Sequence, residues 1–300
     1  MTQHDAEQDA ANAAARAGAA VGAVDSVADL RRVADLFSRV WAAPQAPPMP
    51  HDIMRSLAHA GGRVHAAVRD GRLVGAAVAV FGPPTGAWCY SLIAGVSPDA
   101  ERGGIGLALK LAQRAWALQV GAGQMIWTFD PLLRRNATFN ISRLGAVGTE
   151  YLVDFYGQIA DGVNDPETDR LAVTWNLRAP LPSPAAPAGE EVPDTILAAG
   201  PGGEPALGTV PQADAGPGLL RCWIPEDMLP SGAPIPPWRA AGGWPSARRS
   251  AAPSTAATRS SECCGPGGTS WKRGGHEGRG RRFAGGAATP GHPVPNLPAQ

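Results

Sequence analysis

Three glycines occupy the short stretch between an apolar strand and an apolar helix, and they are the sharpest chemical feature of the sequence. Gly103, Gly104 and Gly106 bear no side chains, so a ligand can approach their backbone closely. The N–H groups of a first helical turn point outward, and together with the helix dipole they attract anions. The spacing therefore indicates an anion site suited to a pyrophosphate, although an ordinary turn before a helix explains the same glycines equally well.

Other phosphate and metal motifs do not fit the sequence. Lys110 stands four residues after Gly106 without a Gly-Lys-Ser/Thr run, which excludes a nucleotide P-loop. The strands before the turn are linked by a hairpin and not by a βαβ unit, which argues against a dinucleotide fold. The four cysteines are few and irregular, and His51, His59 and His65 are unclustered, so we expect no metal site and no disulfide framework.

Polar residues that could take part in catalysis follow the next apolar strand. Asp130 ends that strand, where it fits a base or an amine-binding carboxylate and fits equally well a turn residue that caps the next helix. Asn136 and Asn140 fit helix caps or active-site hydrogen-bond partners, and capping is favoured for Asn136. Arg134 and Arg135 fit a contact with a phosphate of a ligand, but a solvated basic pair is the favoured interpretation.

The periods of the apolar residues predict the elements that hold these side chains. Steps of three and four predict an amphipathic helix over residues 26–41, and a shorter helix follows at 51–62. Asp70-Gly71 marks a two-residue hairpin turn between two strands. A third strand precedes the glycine turn, and helix, strand, helix and two strands follow it. This order predicts an α/β fold with a mixed, mostly antiparallel sheet flanked by helices.

Glycine and proline divide the chain into unlike parts. They make up 68 of the 300 residues, and 40 of them fall in the last 120, a share that indicates low complexity or disorder. We therefore predict a flexible leader or a short frayed helix at 1–22 and a folded domain at 23–180. A Pro/Gly/Ala linker is predicted at 181–220 and a disordered low-complexity tail at 221–300.

The tail is basic, with nine Lys/Arg against two Asp/Glu in residues 231–300. It lacks apolar periodicity and is typical of an out-of-frame translation of GC-rich DNA, so we interpret it as frameshifted after about residue 230. A functional tail that binds nucleic acid weakly is the less favoured alternative. Resequencing the gene separates the two interpretations.

The sequence also predicts where the protein works. No run approaches the ~20 apolar residues that a membrane span requires. The amino terminus lacks the basic region of a secretory signal. We therefore expect a reduced, cytoplasmic protein without a membrane span, and both a monomer and a homodimer stay open.

Three runs of the folded part carry a family pattern: VSPDAERGGIGLALKLAQR, MIWTFDPLLRRNATFNISRLGA and FYGQIADGVNDPETDRLAVTWNL. Through them the segment from about Leu73 to Leu177 resembles the Gcn5-related N-acetyltransferase (GNAT) superfamily. Within it, the segment resembles a branch of predicted acetyltransferases with unassigned substrates. The second run is the most specific.

The resemblance implies an acetyl-CoA fold whose sheet splays open between strands 87–96 and 124–130. Pantetheine would lie along the first of these strands, and the diphosphate would lie on the amides of the glycine turn. The implied cofactor-binding residues are Ala94, Gly95, Val96, Arg102, Gly103, Gly104, Ile105, Gly106, Leu107, Ala108 and Asn136. An amine would attack the thioester directly, with backbone donors on the acetyl oxygen, a base for the amine proton and an acid for the leaving thiolate.

Two positions depart from the family pattern. The signature Gln/Arg-x-x-Gly-x-Gly/Ala begins here with Glu101, whose carboxylate should weaken phosphate binding unless Arg102 turns inward. The tyrosine that usually acts as the acid is replaced by Ile141, and Tyr151 and Tyr156 are the substitutes, although each is also an ordinary strand aromatic. The expected catalytic residues are Asp130, Asn140 and Tyr156.

Two functions follow from the resemblance. The leading hypothesis is an N-acetyltransferase that uses acetyl-CoA as co-substrate and an amine of a small molecule or peptide as acceptor. The alternative is a non-catalytic acyl-CoA-binding module or sensor, which Glu101 and Ile141 favour. No metal, membrane or nucleic-acid partner is expected.

Overall fold

Seven strands form one sheet with helices on both faces. The computed structural model describes residues 2–44, 46–83, 86–101, 103–157, 168–183, 194–201, 205–207, 219–224, 259–264 and 268–272. The helices are α1 (Gln3–Arg16), α2 (Val27–Val40), α3 (His51–His59), α4 (Ile105–Gln119) and α5 (Arg134–Ala137), the last continued by a π-helical stretch at Thr138–Arg143. The strands are β1 (Ala20–Ala23), β2 (Arg63–Arg69), β3 (Arg72–Phe81), β4 (Trp88–Val96), β5 (Gln124–Phe129), β6 (Val147–Leu152) and β7 (Arg170–Asn176).

The strand order is β1-β2-β3-β4-β5-β7-β6. Every neighbouring pair is antiparallel except β4 and β5, which are parallel and are connected through α4. Parallel neighbours require a crossover, and a helix usually supplies it. The predicted α/β class with a mixed, mostly antiparallel sheet flanked by helices is confirmed.

Local signals in the sequence account for several boundaries. Asp70 and Gly71 have φ angles of 51° and 71°, the left-handed pair that joins β2 to β3 in a tight hairpin. Ser26 caps α2, and its hydroxyl accepts the backbone N–H of Asp29 at 3.1 Å. The hairpin was predicted from these residue types.

Each face of the sheet has its own core. On one face α2 and α3 cover β2 to β4, with Leu30, Leu36, Phe37 and Met54 fully buried. On the other face α4 packs against the sheet, and β2 and β3 supply small residues beneath it. None of the described helices is long and apolar enough to cross a membrane.

The amino-terminal residues differ from the expected leader. Thr2 and Asp5 form a reciprocal capping box at the start of α1, and the buried Ala6, Ala13 and Ala17 face the core that contains α4. β1 then pairs with β2 and becomes the edge of the sheet. Alanine offers little apolar signal in a sequence, yet its small side chain lets two helices approach closely. The folded domain therefore begins about twenty residues earlier than predicted.

Five short strands follow the domain in the chain: β8 (Asp194–Ala199), β9 (Pro205–Leu207), β10 (Leu219–Cys222), β11 (Arg259–Cys264) and β12 (Gly268–Lys272). They form a second sheet with the order β11-β12-β10-β8-β9. The predicted linker and low-complexity tail contain no apolar period, but backbone pairing needs none. Most of the other residues of these two segments lie outside the described part, so the disordered tail and the frameshift stay predictions.

Candidate functional site

β4 and β5 separate after three paired residues. Their register joins Trp88–Tyr90 to Gln124–Ile126 and ends there, so Ser91 and Trp127 are the first residues beyond the last pair. The strands part toward their carboxyl ends, which is the edge where α4 begins. We call this opening the fork. It lies between the two strands that the resemblance to the family implied.

A β-bulge in β4 lies directly at the fork. Val78 of β3 pairs with Ile93, but its neighbour Ala79 pairs with Ser91, so Leu92 is the extra residue. A bulge leaves one backbone unit outside the ladder and re-aims it. The alternating strand pattern gave no sign of this bulge, and Leu92 was absent from the expected site residues.

The first turn of α4 is open above its amide groups. Gly104 is the N-cap residue, has φ of 79° and provides no side-chain cap. A methyl group added at Gly106 would come no closer than 3.9 Å to Phe139 and Val96, so there is space beside this residue. Two groups of the expected cofactor-binding residues are thus located. Residues 104–108 form the start of α4, and residues 94–96 form the carboxyl end of β4. Arg102 lies outside the described residues.

Gly103 has a different role from the other two glycines. A methyl group there would come within 2.5 Å of Nη2 of Arg69, which donates hydrogen bonds to the carbonyls of Ala17 at 2.7 Å and Gly103 at 3.4 Å. Its lack of a side chain therefore serves packing. A shallow cavity of about 250 Å³ adjoins it, lined by Arg69, Pro98, Asp99, Ala100, Glu101 and Gly103. Because Arg69 belongs to β2, this cavity lies on the side of β4 away from the fork.

Glu101 and Arg135 form an ion pair between the glycine turn and α5. Arg135 is 68% exposed, and its hydrogen bond to Glu101 raises the pKa of the guanidinium. The interpretation of Arg134 and Arg135 as a merely solvated pair is therefore incomplete for Arg135. The carboxylate that was expected to repel a phosphate has a cation beside it.

The expected catalytic residues lie on two different segments. Asp130 directly follows β5, and its Oδ1 accepts the backbone N–H of Leu132 at 2.9 Å, which is the contact of a turn residue. Asn140 is buried in the π-helical stretch, whereas Asn136 is exposed in α5. Ile141 is also buried and apolar, so the position of the family's tyrosine has no acid.

The two tyrosines considered as substitutes have contacts away from the fork. The hydroxyl of Tyr151 donates to Asp169 at 2.6 Å. Tyr156 is 55% exposed, with the guanidinium of Arg170 5.1 Å from its ring centroid and Phe155 packed edge-on. Both belong to β6 and the turn after it, at the far edge of the sheet from β4.

A buried polar cluster, unseen in the sequence, lies on the α4 side of the fork. Lys110 Nζ donates to Ser91 Oγ at 2.8 Å, and Ser91 Oγ donates to Gln113 Oε1 at 3.0 Å. The same Nζ lies 3.9 Å from the ring centroid of Trp127. All three polar side chains are buried, and burial lowers the pKa of Lys110 to about 7. We call Lys110, Ser91, Gln113 and Trp127 the fork cluster.

One signal could have revealed this cluster. Lys110, Gln113 and Arg114 share one face of α4 at the spacing i, i+3, i+4, in a helix whose remaining residues are largely apolar. In the structure α1 packs on α4 as well, so α4 is buried on nearly every side.

On the opposite face of the fork, Tyr90 and Thr128 connect the two strands. Their hydroxyl oxygens are 3.5 Å apart, and both residues are half-buried. The fork therefore has an α4 face with an amine, a hydroxyl and an amide, and a second face with two hydroxyl groups.

Part of the chain is similar to known acetyltransferases. Residues 4–125 match the family model described as the acetyltransferase (GNAT) domain. An N-acetyltransferase from Staphylococcus aureus Mu50 is 13% identical, with 53% of this chain and 99% of that chain covered and a TM-score of 0.45. The ribosomal-protein-S18-alanine N-acetyltransferase of Escherichia coli is 16% identical, with coverages of 58% and 98% and a TM-score of 0.44. No curated protein matches the chain.

Proposed function

Because residues 4–125 match the family model of the acetyltransferase (GNAT) domain, we propose that this protein transfers an acetyl group from acetyl-CoA to an amine of a small molecule or peptide. One observation carries the proposal. The fork between β4 and β5 opens toward the edge of the sheet at which α4 begins with its uncapped glycine. A thioester in the fork and a phosphate on the first turn of α4 can therefore belong to one extended molecule.

The backbone of β4 suits a pantetheine arm. β3 pairs with one edge of β4 along its whole length, whereas β5 leaves the other edge after Tyr90. The N–H and C=O groups of a strand point alternately to its two edges. Some of these groups in Ala94, Gly95 and Val96 therefore face the fork. The bulge at Leu92 adds a backbone unit that can polarise the acetyl oxygen.

The first turn of α4 suits the diphosphate. Its amide groups belong to Ile105, Gly106 and Leu107, and Gly104 adds no side chain above them. Unpaired N–H groups at the start of a fifteen-residue helix attract phosphate through hydrogen bonds and the helix dipole. Arg102, Ala108 and Asn136 stay proposed contacts of the same cofactor.

The proposed reaction is direct attack of the amine nitrogen on the thioester carbonyl. A C–N bond forms, the C–S bond breaks, and its electron pair leaves with sulfur. Asp130 is the proposed acceptor of the amine proton, and Asn140 the proposed hydrogen-bond partner that orients the reacting groups. Tyr156 was expected to protonate the thiolate, but its exposed ring under Arg170 favours another donor.

Substitution of Gly106 tests the site. In Gly106→Leu, we expect the affinity for acetyl-CoA to fall at least about tenfold, because the new side chain fills the space above the first turn of α4. Isothermal titration with acetyl-CoA measures the change. Gly22→Ala, where an added methyl group contacts nothing within 4 Å, is the matched control. Unchanged binding by the Gly106 variant contradicts the proposed cofactor site.

The alternative function is a non-catalytic acyl-CoA-binding module or sensor. The apolar Ile141 and the Glu101–Arg135 ion pair favour it, since both alter positions at which the family pattern has functional groups. Release of CoA in the presence of an amine panel, above the rate without protein, excludes this alternative. The cytoplasmic location and the oligomeric state stay proposals.

A further inference from the structure

We propose that Lys110 delivers the proton that the departing CoA thiolate takes up, in the place of the missing tyrosine. The inference rests on the proposed acetyl transfer and names a catalytic residue for it. Three observations support it: the position of the ammonium group at the fork, the absence of a counter-ion in its described surroundings, and the direction of its hydrogen bonds.

Lys110 Nζ lies where the two strands part. Ser91 and Trp127 are the first residues of β4 and β5 beyond their last pair, and Nζ contacts both, at 2.8 Å from Ser91 Oγ and 3.9 Å from the ring centroid. An acyl group carried into the fork along β4 ends against these residues. The amine of Lys110 therefore borders the place where the C–S bond breaks.

The helix that begins at the proposed phosphate site also carries Lys110. Ile105 is the first residue of α4, and Lys110 follows five residues later, about 7.5 Å along the helix axis. The CoA moiety would thus run from the first turn of α4 toward the side chain of Lys110. Lys110 lies on the α4 face of the fork, whereas Tyr90 and Thr128 lie on the opposite face.

In its buried surroundings the protonated and neutral forms of Lys110 have similar free energies near pH 7. Desolvation alone lowers its pKa to about 7, and no charged side chain of the described residues acts on it. The titratable groups on the packed elements are neutral or paired elsewhere. Burial raises the pKa of Cys89 in β4 to about 11 and lowers that of His65 in β2 to about 4, while Arg114 of α4 pairs with Asp9 of α1.

The hydrogen bonds of the fork cluster orient the amine. Ser91 gives its own hydrogen to Gln113 Oε1, so its oxygen is free to accept from Lys110. One N–H of Lys110 donates to Ser91 in either protonation state. The other hydrogens of Nζ are left for a group in the fork. Gln113 Nε2 is a second donor, buried and without a partner among the described residues. Such a donor suits a group that arrives with a ligand.

Two protons move in the proposed reaction, one to the sulfur and one from the attacking nitrogen. As the C–S bond breaks, the sulfur electron pair takes a proton from the ammonium group of Lys110, which becomes a neutral amine. The proton of the attacking nitrogen leaves to the proposed base, Asp130, which then releases it to water, and Lys110 regains a proton from water. Free thiols have a pKa of about 8.5, so a thiolate readily takes a proton from an ammonium group of pKa about 7.

The test compares wild-type protein with Lys110→Met, an apolar replacement of similar length that suits the buried position. With acetyl-CoA, we expect kcat for CoA release to fall about 100-fold, at the low end of general acid effects, while KM changes less than about threefold. With an acetyl thioester of an acidic aryl thiol, which leaves without a proton, we expect equal rates for both proteins. A merely structural role would slow both donors alike.

The pH profile of kcat is a second readout. Because the acid must be protonated, wild-type kcat should decline as pH rises through about 7, and Lys110→Met should lack this limb while Lys110→Arg shifts it upward. Full turnover by Lys110→Met, or equal slowing with both thioesters, overturns the role of Lys110 alone. Wild-type protein that binds acetyl-CoA but releases no CoA with any amine overturns the proposed function, and the role of Lys110 with it.

Discussion

Two buried cations lie one turn apart on α4, and their surroundings are opposite. Arg114 Nε donates to the carbonyl of Leu177 at 2.8 Å and Nη2 donates to that of Ala179, while Nη1 lies 3.8 Å from a carboxylate oxygen of Asp9. Lys110 has a single hydroxyl acceptor, Ser91, and no counter-ion in the described part of the chain.

These contacts indicate a structural role for Arg114 and a chemical role for Lys110. A buried cation that meets carbonyls and a carboxylate links elements together, and the planar guanidinium of Arg114 connects α4 with the end of β7 and with α1. A buried cation without compensation destabilises the fold, and an apolar residue would serve packing better. Since α4 contains both kinds within four residues, burial alone does not explain Lys110, and a role in proton transfer does.

The largest expected effect on stability belongs to Arg114. In Arg114→Met, the free energy of unfolding should fall by about 2–4 kcal/mol, because two buried carbonyls lose their donors and α1 loses its ion pair. Urea unfolding followed by circular dichroism measures it. CoA release per folded molecule should stay unchanged, in contrast to Lys110→Met.

The matched variant Arg114→Lys should recover only part of the loss, since an ammonium group cannot reproduce the planar arrangement of donors. An Arg114→Met protein as stable as the wild type would remove the distinction between the two cations.

The pH dependence of stability should differ between the two cations. The pKa of Lys110 is about 7 in the folded protein against 10.5 in its usual state, so between these values the unfolded chain binds more protons. The free energy of unfolding should therefore rise with pH above about 7, and Lys110→Met should lack that contribution. Arg114 contributes nothing here, because a guanidinium stays protonated.

Urea unfolding at several pH values from 7 to 8.5 tests this rise. The useful quantity is the difference between wild type and Lys110→Met, in which the contribution of the buried Cys89 thiol cancels. If the difference in the free energy of unfolding is constant over this range, the pKa of Lys110 is not lowered in the folded protein.

The smallest expected effect concerns Asp9. Its side chain is 39% exposed and lies 3.8 Å from the guanidinium, so Asp9→Asn should lower the free energy of unfolding by less than about 1 kcal/mol. The change should shrink further in 0.5 M salt, which screens an exposed partner. A loss as large as that of Arg114→Met would mean that the carboxylate, and not the two carbonyls, holds Arg114.

Features that depend on neighbouring residues could be predicted from the sequence. Asp70-Gly71 specified its own hairpin because few residue pairs accept two positive φ angles. Gly104 likewise marked the start of α4, where φ is 79°. The order of helices and strands along the chain, from α2 to β7, followed from such local signals.

Features that depend on distant residues could not be predicted in this way. Ser91 and Lys110 meet across 19 positions of sequence, and only the fold shows that the hydroxyl faces the amine. The bulge at Leu92 depends on register with β3, and the Glu101–Arg135 pair depends on how α5 returns to the glycine turn. The docking of α1 was missed because alanines at helical spacing are also common in exposed segments.

That helix has a consequence for the order in which the protein can be made. α1 leaves the ribosome well before its main partner α4, which begins only at Ile105. At about 5–20 residues per second, α1 waits roughly 5–20 s for that partner. A fourteen-residue helix is marginal alone, even with the capping box at Thr2. α1 is therefore synthesised well before α4 and secured late, after the helix that carries the fork cluster is in place.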